Sequence, residues 1–257
     1  MKRLVLKFGG ASVASAEKFS LIAELILNRL KDVDQVVVVV SAMGNTTDEL
    51  LALARKVHPS PPKREQDMLI SVGERISMSL LAMALELKGK QAVSLTGSQA
   101  GLITTMDHSE ARIIDVRPAR VLRALSDGKI VIVAGFQGVS REGEITTLGR
   151  GGSDTTAVAL AIAVKAEKVE FYKDVSGIFT ADPKHAKDAQ LISNLNYAEA
   201  LAITKQGAKV LQSRCIDLAA KNHLPLHVLP FSNPESAGTW IGSKTREEQH
   251  PIYEDAC

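Results

Sequence analysis

The run "QVVVVV", Gln35–Val40, constrains this chain more than any other stretch. Its unbroken β-branched residues do not alternate between a wet and a dry face, so the strand they form is expected to be covered on both sides, at the centre of a largely parallel sheet. Other short apolar runs alternate with helical patterns, the signature of a βαβ architecture. Strands are expected at 3–7, 91–95, 130–134, 169–173 and 226–229, and a small hairpin at 141–148. Ser15 stands where an N-cap belongs, ahead of Phe19, Ile22, Ile26 and Leu30 at helical spacing. Further helices are expected at 65–87, 118–125, 154–165 and 209–222, the first of them after the proline-rich loop "HPSPPKR".

Charge and cysteine content narrow the function class. A net charge of +2 in 257 residues, without a long run of like charges, leaves no footprint for a nucleic acid. Cys215 and Cys257 lack metal-ligand spacing and suit a reduced, cytoplasmic protein. "MKRLVLKF" lacks the apolar core of a signal peptide, and the strongly apolar run at 36–40 is far short of a membrane span, so no membrane is expected. The expected organisation is one domain over 1–243 and a charged surface tail over 244–257.

Two glycine clusters stand out. "KFGG", Lys7 to Gly10, follows the first strand, and "TTLGRGGSDTTA", Thr146 to Ala157, opens a helix. Glycine turns before a helix let backbone N–H groups approach an anion, and a lysine adds a full positive charge. Neither cluster has Walker A spacing or the G-x-G-x-x-G dinucleotide fingerprint, which disfavours a P-loop enzyme or a Rossmann dehydrogenase. Arg150 offers a fork for carboxylate or phosphate, and Asp154 can orient a lysine or bind a metal. The plainer readings are a solvated Arg150, Asp154 as a helix N-cap, and Glu74 with Ser77 as a hydrogen-bonded pair inside an apolar helix.

Taken in order, "KFGGASV", "VSAMGNTTDELL", "SVGERIS", "GFQGV", "TTLGRGGSDTTAVALA", "KDVSGIFTADP", "YAEALAITKQGAKVL" and "NPESAGTWI" resemble the amino-acid kinases, and among them the aspartate kinases, along nearly the whole chain. The resemblance implies an α/β fold, a three-layer αβα sandwich around a mainly parallel sheet. It implies ATP and Mg²⁺ as cofactors, L-aspartate as substrate, and transfer of the γ-phosphoryl group to the β-carboxylate in aspartate-family amino-acid biosynthesis. Position by position, it puts Lys7, Phe8, Gly9 and Gly10 on the ATP phosphates, and Lys173, Asp174, Phe179, Lys184, Lys209 and Val210 around the nucleotide. It puts Ser41, Thr47, Glu74, Arg150 and Ser153 on the acceptor side, with Glu74 facing the α-amino group, and Lys7, Asp154 and Lys209 at the transferred phosphoryl group. No histidine and no metal-ligating cluster is required.

This sequence departs from the family pattern at Ala11, Lys173, Phe179 and Lys184, where threonine, threonine, tyrosine and arginine are usual, and at Gln212-Ser213, where His-Pro is usual. The sequence stops near the kinase boundary, which fits either an enzyme without ACT regulatory domains, expected to be insensitive to lysine and threonine, or a piece trimmed to the catalytic domain; the resemblance further implies a homodimer through the kinase domain. An aspartate analogue as acceptor, or a non-catalytic subunit that binds ATP or a partner chain, are the alternatives.

Overall fold

The computed structural model describes residues 1–181, 186, 188–206, 210–243, 245–246 and 249–255. The valine run forms β2 (Gln35–Val40), every residue of which is buried. It pairs in parallel with β1 (Arg3–Phe8) on one side and β6 (Ile130–Ala134) on the other. Beyond β6 lies β3 (Ala92–Leu95); beyond β1 lie β9 (Lys168–Lys173), β11 (Leu226–Pro230), β12 (Thr239–Ile241) and β10 (Asn194–Leu195). Only the β11–β12 pair of this eight-stranded sheet is antiparallel.

Side-chain parity divides the core into two layers. Leu4, Leu6 and Phe8 of β1, with Val36, Val38 and Val40 of β2, pack on one face against α1 (Ala16–Arg29) and α4 (Val72–Leu87). Val5, Val37 and Val39 face the other layer, built from α5 (Ala119–Ser126), α6 (Gly152–Ala163), α7 (Tyr197–Lys205) and α8 (Ser213–Lys221). Each fully buried valine contributes roughly 1.5–3 kcal/mol of transfer free energy. The chain is therefore an αβα sandwich around a mainly parallel sheet.

Several elements differ from the sequence expectations. The helix expected over 65–87 is two, α3 (Lys63–Ile70) and α4, interrupted where the Ser71 carbonyl accepts from Gln137 Nε2 at 2.7 Å. Hydropathy alone would let Lys63–Leu87 span a membrane, yet Asp67, Glu74 and Ser77 point inward and α4 packs on the sheet. The last expected helix shortens to Ser213–Lys221, and Lys209 lies outside the described residues. The expected hairpin takes its first strand from β7 (Gln137–Ser140), turns over 141–144 and returns as β8 (Ile145–Thr147). It joins β4 (Leu102–Thr104) and β5 (Ile113–Val116) in a second sheet that short, half-polar strands made hard to read. A further helix, α2 (Thr46–Val57), buries none of its residues. In the tail, Glu254 exchanges hydrogen bonds with Ile113 on β5, donating from its N–H at 2.9 Å and accepting at Oε2 at 2.8 Å.

Candidate active site

Parallel strands end together, and the carboxyl ends of β1, β2, β6 and β9 open on one cleft of about 620 Å³. Strand parity decides which side chains enter it. Lys7 shares the face of Val5, and Lys173 the face of Val169 and Phe171, so both point toward α6, whose first turn carries Asp154. Lys7 Nζ meets Asp154 Oδ1 at 2.5 Å, and Lys173 Nζ meets Asp154 Oδ2 at 2.9 Å. These contacts join the two glycine clusters, far apart in sequence, in one site.

Burial drives Lys7 below the usual lysine range, with Lys173 adding to the fall and Asp154 opposing it. For Asp154 burial acts upward, but the two ammonium groups outweigh it and hold the carboxylate ionised, below its ordinary range. The trio carries one net positive charge. Cys215 lies nearby; burial, then Asp154, pushes its thiol well up and leaves it inert.

The second cluster is shaped by its glycines. Gly151 caps α6 in the left-handed region, at φ +72°, and a Cβ there would fall 1.7 Å from Gln212 Cγ. No side-chain cap closes the start of α6, so Asp154 is a first-turn residue and not the N-cap. Gly10 of the first cluster leads into a short 3₁₀ turn, Gly10–Val13, while α1 begins only at Ala16. Of the two helices that follow the glycine clusters, it is thus α6 whose N-terminus faces the cleft, where the dipole favours an anion. Phe136 lines the same wall with φ +69°, a conformation unusual for a bulky residue.

The rest of the lining is electrostatically open. Glu74 on α4 is 3% exposed; its Oε1 accepts from the Ala42 N–H at 3.1 Å, and its Oε2 has no hydrogen-bond partner. Burial raises its carboxyl to about 7, against the pull of its own and Ala42's backbone N–H groups and of Lys7. Ser77 is not bonded to it, and the Ser77 hydroxyl is also without a partner. Arg150 lies at the rim, exposed, with no ion pair among the described residues. Ser41, at the end of β2, and Thr47, on α2, complete this side.

Gly9, Gly10, Ser153 and Asp174 also line the cleft. The Phe8 side chain does not: parity turns it into the other layer, stacked on Tyr172 at 4.9 Å, so only its backbone can serve the site. Phe179 bridges to Leu191, and Val210 packs against the α6 layer, both away from the lining. Lys184 and Lys209 lie outside the described residues. Sequence reading missed Asp48, Gln66, Ser109, Thr147 and Gln212, which line the cleft from α2, α3, a loop, β8 and the start of α8. Isolated polar residues give no periodic signal; Asp48 and Thr147 sat inside quoted motifs, and Gln212 was singled out only as a departure from the family pattern.

The model of the amino acid kinase family matches residues 2–230. The chain is 55% identical over 229 residues to an aspartokinase of Mycolicibacterium smegmatis, covering 89% of this chain and 54% of that one. It is 51% identical over 249 residues to an aspartokinase of Geobacillus stearothermophilus, covering 97% and 61%. Its structure superimposes on the aspartate kinase of Synechocystis with a TM-score of 0.87 at 40% identity, covering 98% of this chain and 42% of that one. E. coli aspartokinase III in complex with aspartate and ADP gives 0.85 at 28% identity, covering 95% and 65%. The chain thus spans a little over half the length of the curated relatives it matches.

Proposed function

The chain belongs to the amino acid kinase family, and on that footing we propose that it is the catalytic part of an ATP-dependent aspartate kinase. The observation that carries the reading is the buried Lys7–Asp154–Lys173 trio sharing one cleft with the open groups Glu74 and Arg150. A cationic wall suits the phosphates of a nucleotide. A wall with one unpartnered carboxylate oxygen and one unpaired guanidinium suits the ammonium and carboxylate of an amino acid. The related E. coli enzyme was solved with aspartate and ADP, which supports the same pair of ligands here.

Lys7 and Lys173, the backbone of Gly9 and Gly10, and the N-terminal turn of α6 with Ser153 hold the phosphates in this reading, and Asp154 holds the lysines. Ser41, Thr47, Glu74 and Arg150 hold aspartate. The β-carboxylate, with a reference pKa of about 4, is ionised at neutral pH and attacks without a general base. One of its oxygens forms a bond to the γ-phosphorus as the bond to the β,γ-bridging oxygen breaks, giving 4-phospho-L-aspartate and ADP. The protein's work is to bring two anions into line and neutralise the charge on the phosphoryl oxygens.

Mg²⁺ fits such a site as a companion of the nucleotide: no cluster of three metal-ligating side chains exists among the described residues, and Mg²⁺ beside phosphates needs only one or two carboxylates. Asp174, the exposed carboxylate at the rim, would hold it, and it would supply positive charge to offset that of the phosphates.

The reading places the enzyme in the cytoplasm, in keeping with the free thiol of Cys215, and in a homodimer. Met68, Val72, Ile76, Met83 and Leu87 form an exposed apolar stripe along α3 and α4, 39% to 90% exposed. A second copy offers the same stripe across a two-fold axis. Sedimentation should give twice the chain mass, and Ile76→Glu should halve it; a single-chain mass for the unmodified protein would exclude the dimer.

The function is tested by trapping the acyl phosphate with hydroxylamine in a mixture of Mg-ATP and aspartate. Aspartyl hydroxamate formed in step with ADP supports the reading. ATP binding without hydroxamate, or turnover only with another acceptor, removes it.

A further inference from the structure

Asp67 is a carboxylate that the proposed chemistry does not use. It sits on α3 with 0% exposure, and no lysine or arginine pairs with it among the described residues. Its Oδ2 accepts from the backbone N–H of Ser109 at 3.0 Å and of Thr147 at 3.0 Å, and lies 2.9 Å from His108 Nδ1. Its Oδ1 accepts from the hydroxyls of Thr147 at 2.6 Å and Ser109 at 3.3 Å. Burying a carboxylate carries a large desolvation penalty, and here backbone and hydroxyl donors from two segments offset it.

Both segments belong to the cleft wall. Ser109 and Thr147 line it, and Ser109 is held at φ +72°, a left-handed conformation that a serine keeps only when its surroundings impose it. The Ser109 carbonyl lies beside Gly149, where a Cβ would stand 3.0 Å from it, and Arg150 is the next residue. Thr147 reaches the same loop from the other end, two residues before Gly149.

We infer that Asp67 is the positioning residue of the acceptor wall: by fixing Ser109 and Thr147 it sets the Gly149–Arg150 turn, and so aims the Arg150 guanidinium at a carboxylate of the amino-acid acceptor. The inference rests on the aspartate kinase reading of the cleft. Asp67 touches no substrate atom in this arrangement and acts through Arg150.

Asp67→Asn keeps the shape but turns one acceptor into a donor facing donors. Expected are a rise in the aspartate KM of about tenfold or more, an ATP KM within about twofold, and collapse of the effect to under about twofold in an Arg150→Ala background. A merely structural role would raise both KM values together, or act undiminished without Arg150, and either result overturns the inference. Should Asp67→Asn fail to fold, Ser109→Ala removes one donor only and should move the aspartate KM alone, by about two- to fivefold; no movement overturns it. Hydrogen exchange separates this inference from the function. The Ser109 and Thr147 amides should exchange about tenfold faster in Asp67→Asn while those of β1 and β2 do not. Unchanged exchange defeats the positioning role, whereas a wild type that forms no hydroxamate defeats only the aspartate reading.

Discussion

The two walls of the cleft treat charge in opposite ways. On the α6 side, two lysines share one aspartate and every charge has a partner within 2.9 Å. Elsewhere on the lining, Glu74 on α4 keeps an oxygen without a partner, and Arg150, in the loop just ahead of α6, stands without an ion pair among the described residues. The first wall is preorganised and needs no ligand to be electrostatically complete, which suits stabilisation of charge that develops during phosphoryl transfer. The second wall is complete only when a zwitterion fills it, which suits selection of the acceptor. In the aspartate kinase reading, rate and recognition are lodged in different residues.

The largest break in that contrast should come from Lys7→Ala, which removes a phosphate cation and half of the support for Asp154. A loss of about 10²–10³-fold in kcat is expected in single-turnover hydroxamate formation, with the aspartate KM little moved. Arg150→Ala should act on the other axis: the loss of a charge-assisted contact, about 1.5–3 kcal/mol, raises the aspartate KM roughly 10- to 100-fold and leaves the ATP KM in place.

Glu74 sharpens the comparison through pH. Its carboxyl titrates at about 7 in the folded chain, above its ordinary value because of burial, so the ammonium of the acceptor meets an ionised partner only as pH rises through 7. The kcat/KM for aspartate should climb through that pH, and Glu74→Gln should flatten the climb. Stability runs the other way. The folded state holds the Glu74 proton over a range where the unfolded chain has released it, so this group's contribution declines as pH rises from about 4.5 to 7, and denaturant midpoints with and without Glu74→Gln would show it. The smallest effect is expected for Lys173→Thr, which restores the residue usual in the family and leaves Lys7 on Asp154: an ATP KM raised by less than about tenfold.

How much of this was legible follows from where the residues sit. The valine run and the alternation of strands and helices announced the sheet and its layers, because buried regular elements write their period into the sequence. The glycine clusters announced the cleft for a similar reason, since positive φ at Gly149 and Gly151 leaves few alternatives to glycine. The interruption at Ser71 did not show, because it depends on the Gln137 side chain, 66 positions away. Phe8 was placed on the phosphates by resemblance, while the parity of its own strand turns the ring into the opposite layer. Asp67 gave no signal: a carboxylate on a polar helix reads as solvated, and only the return of Ser109 and Thr147 in three dimensions gives it work.

The separation of rate from recognition is tested most directly by measuring kcat and both KM values side by side for the wild type, Lys7→Ala and Arg150→Ala, with hydroxylamine trapping as the readout. The expected result is a crossed pattern, in which Lys7→Ala lowers kcat at an unchanged aspartate KM and Arg150→Ala raises the aspartate KM at an unchanged ATP KM. If both variants moved the same parameter by the same factor, the two walls would not divide the labour and the central claim would fail.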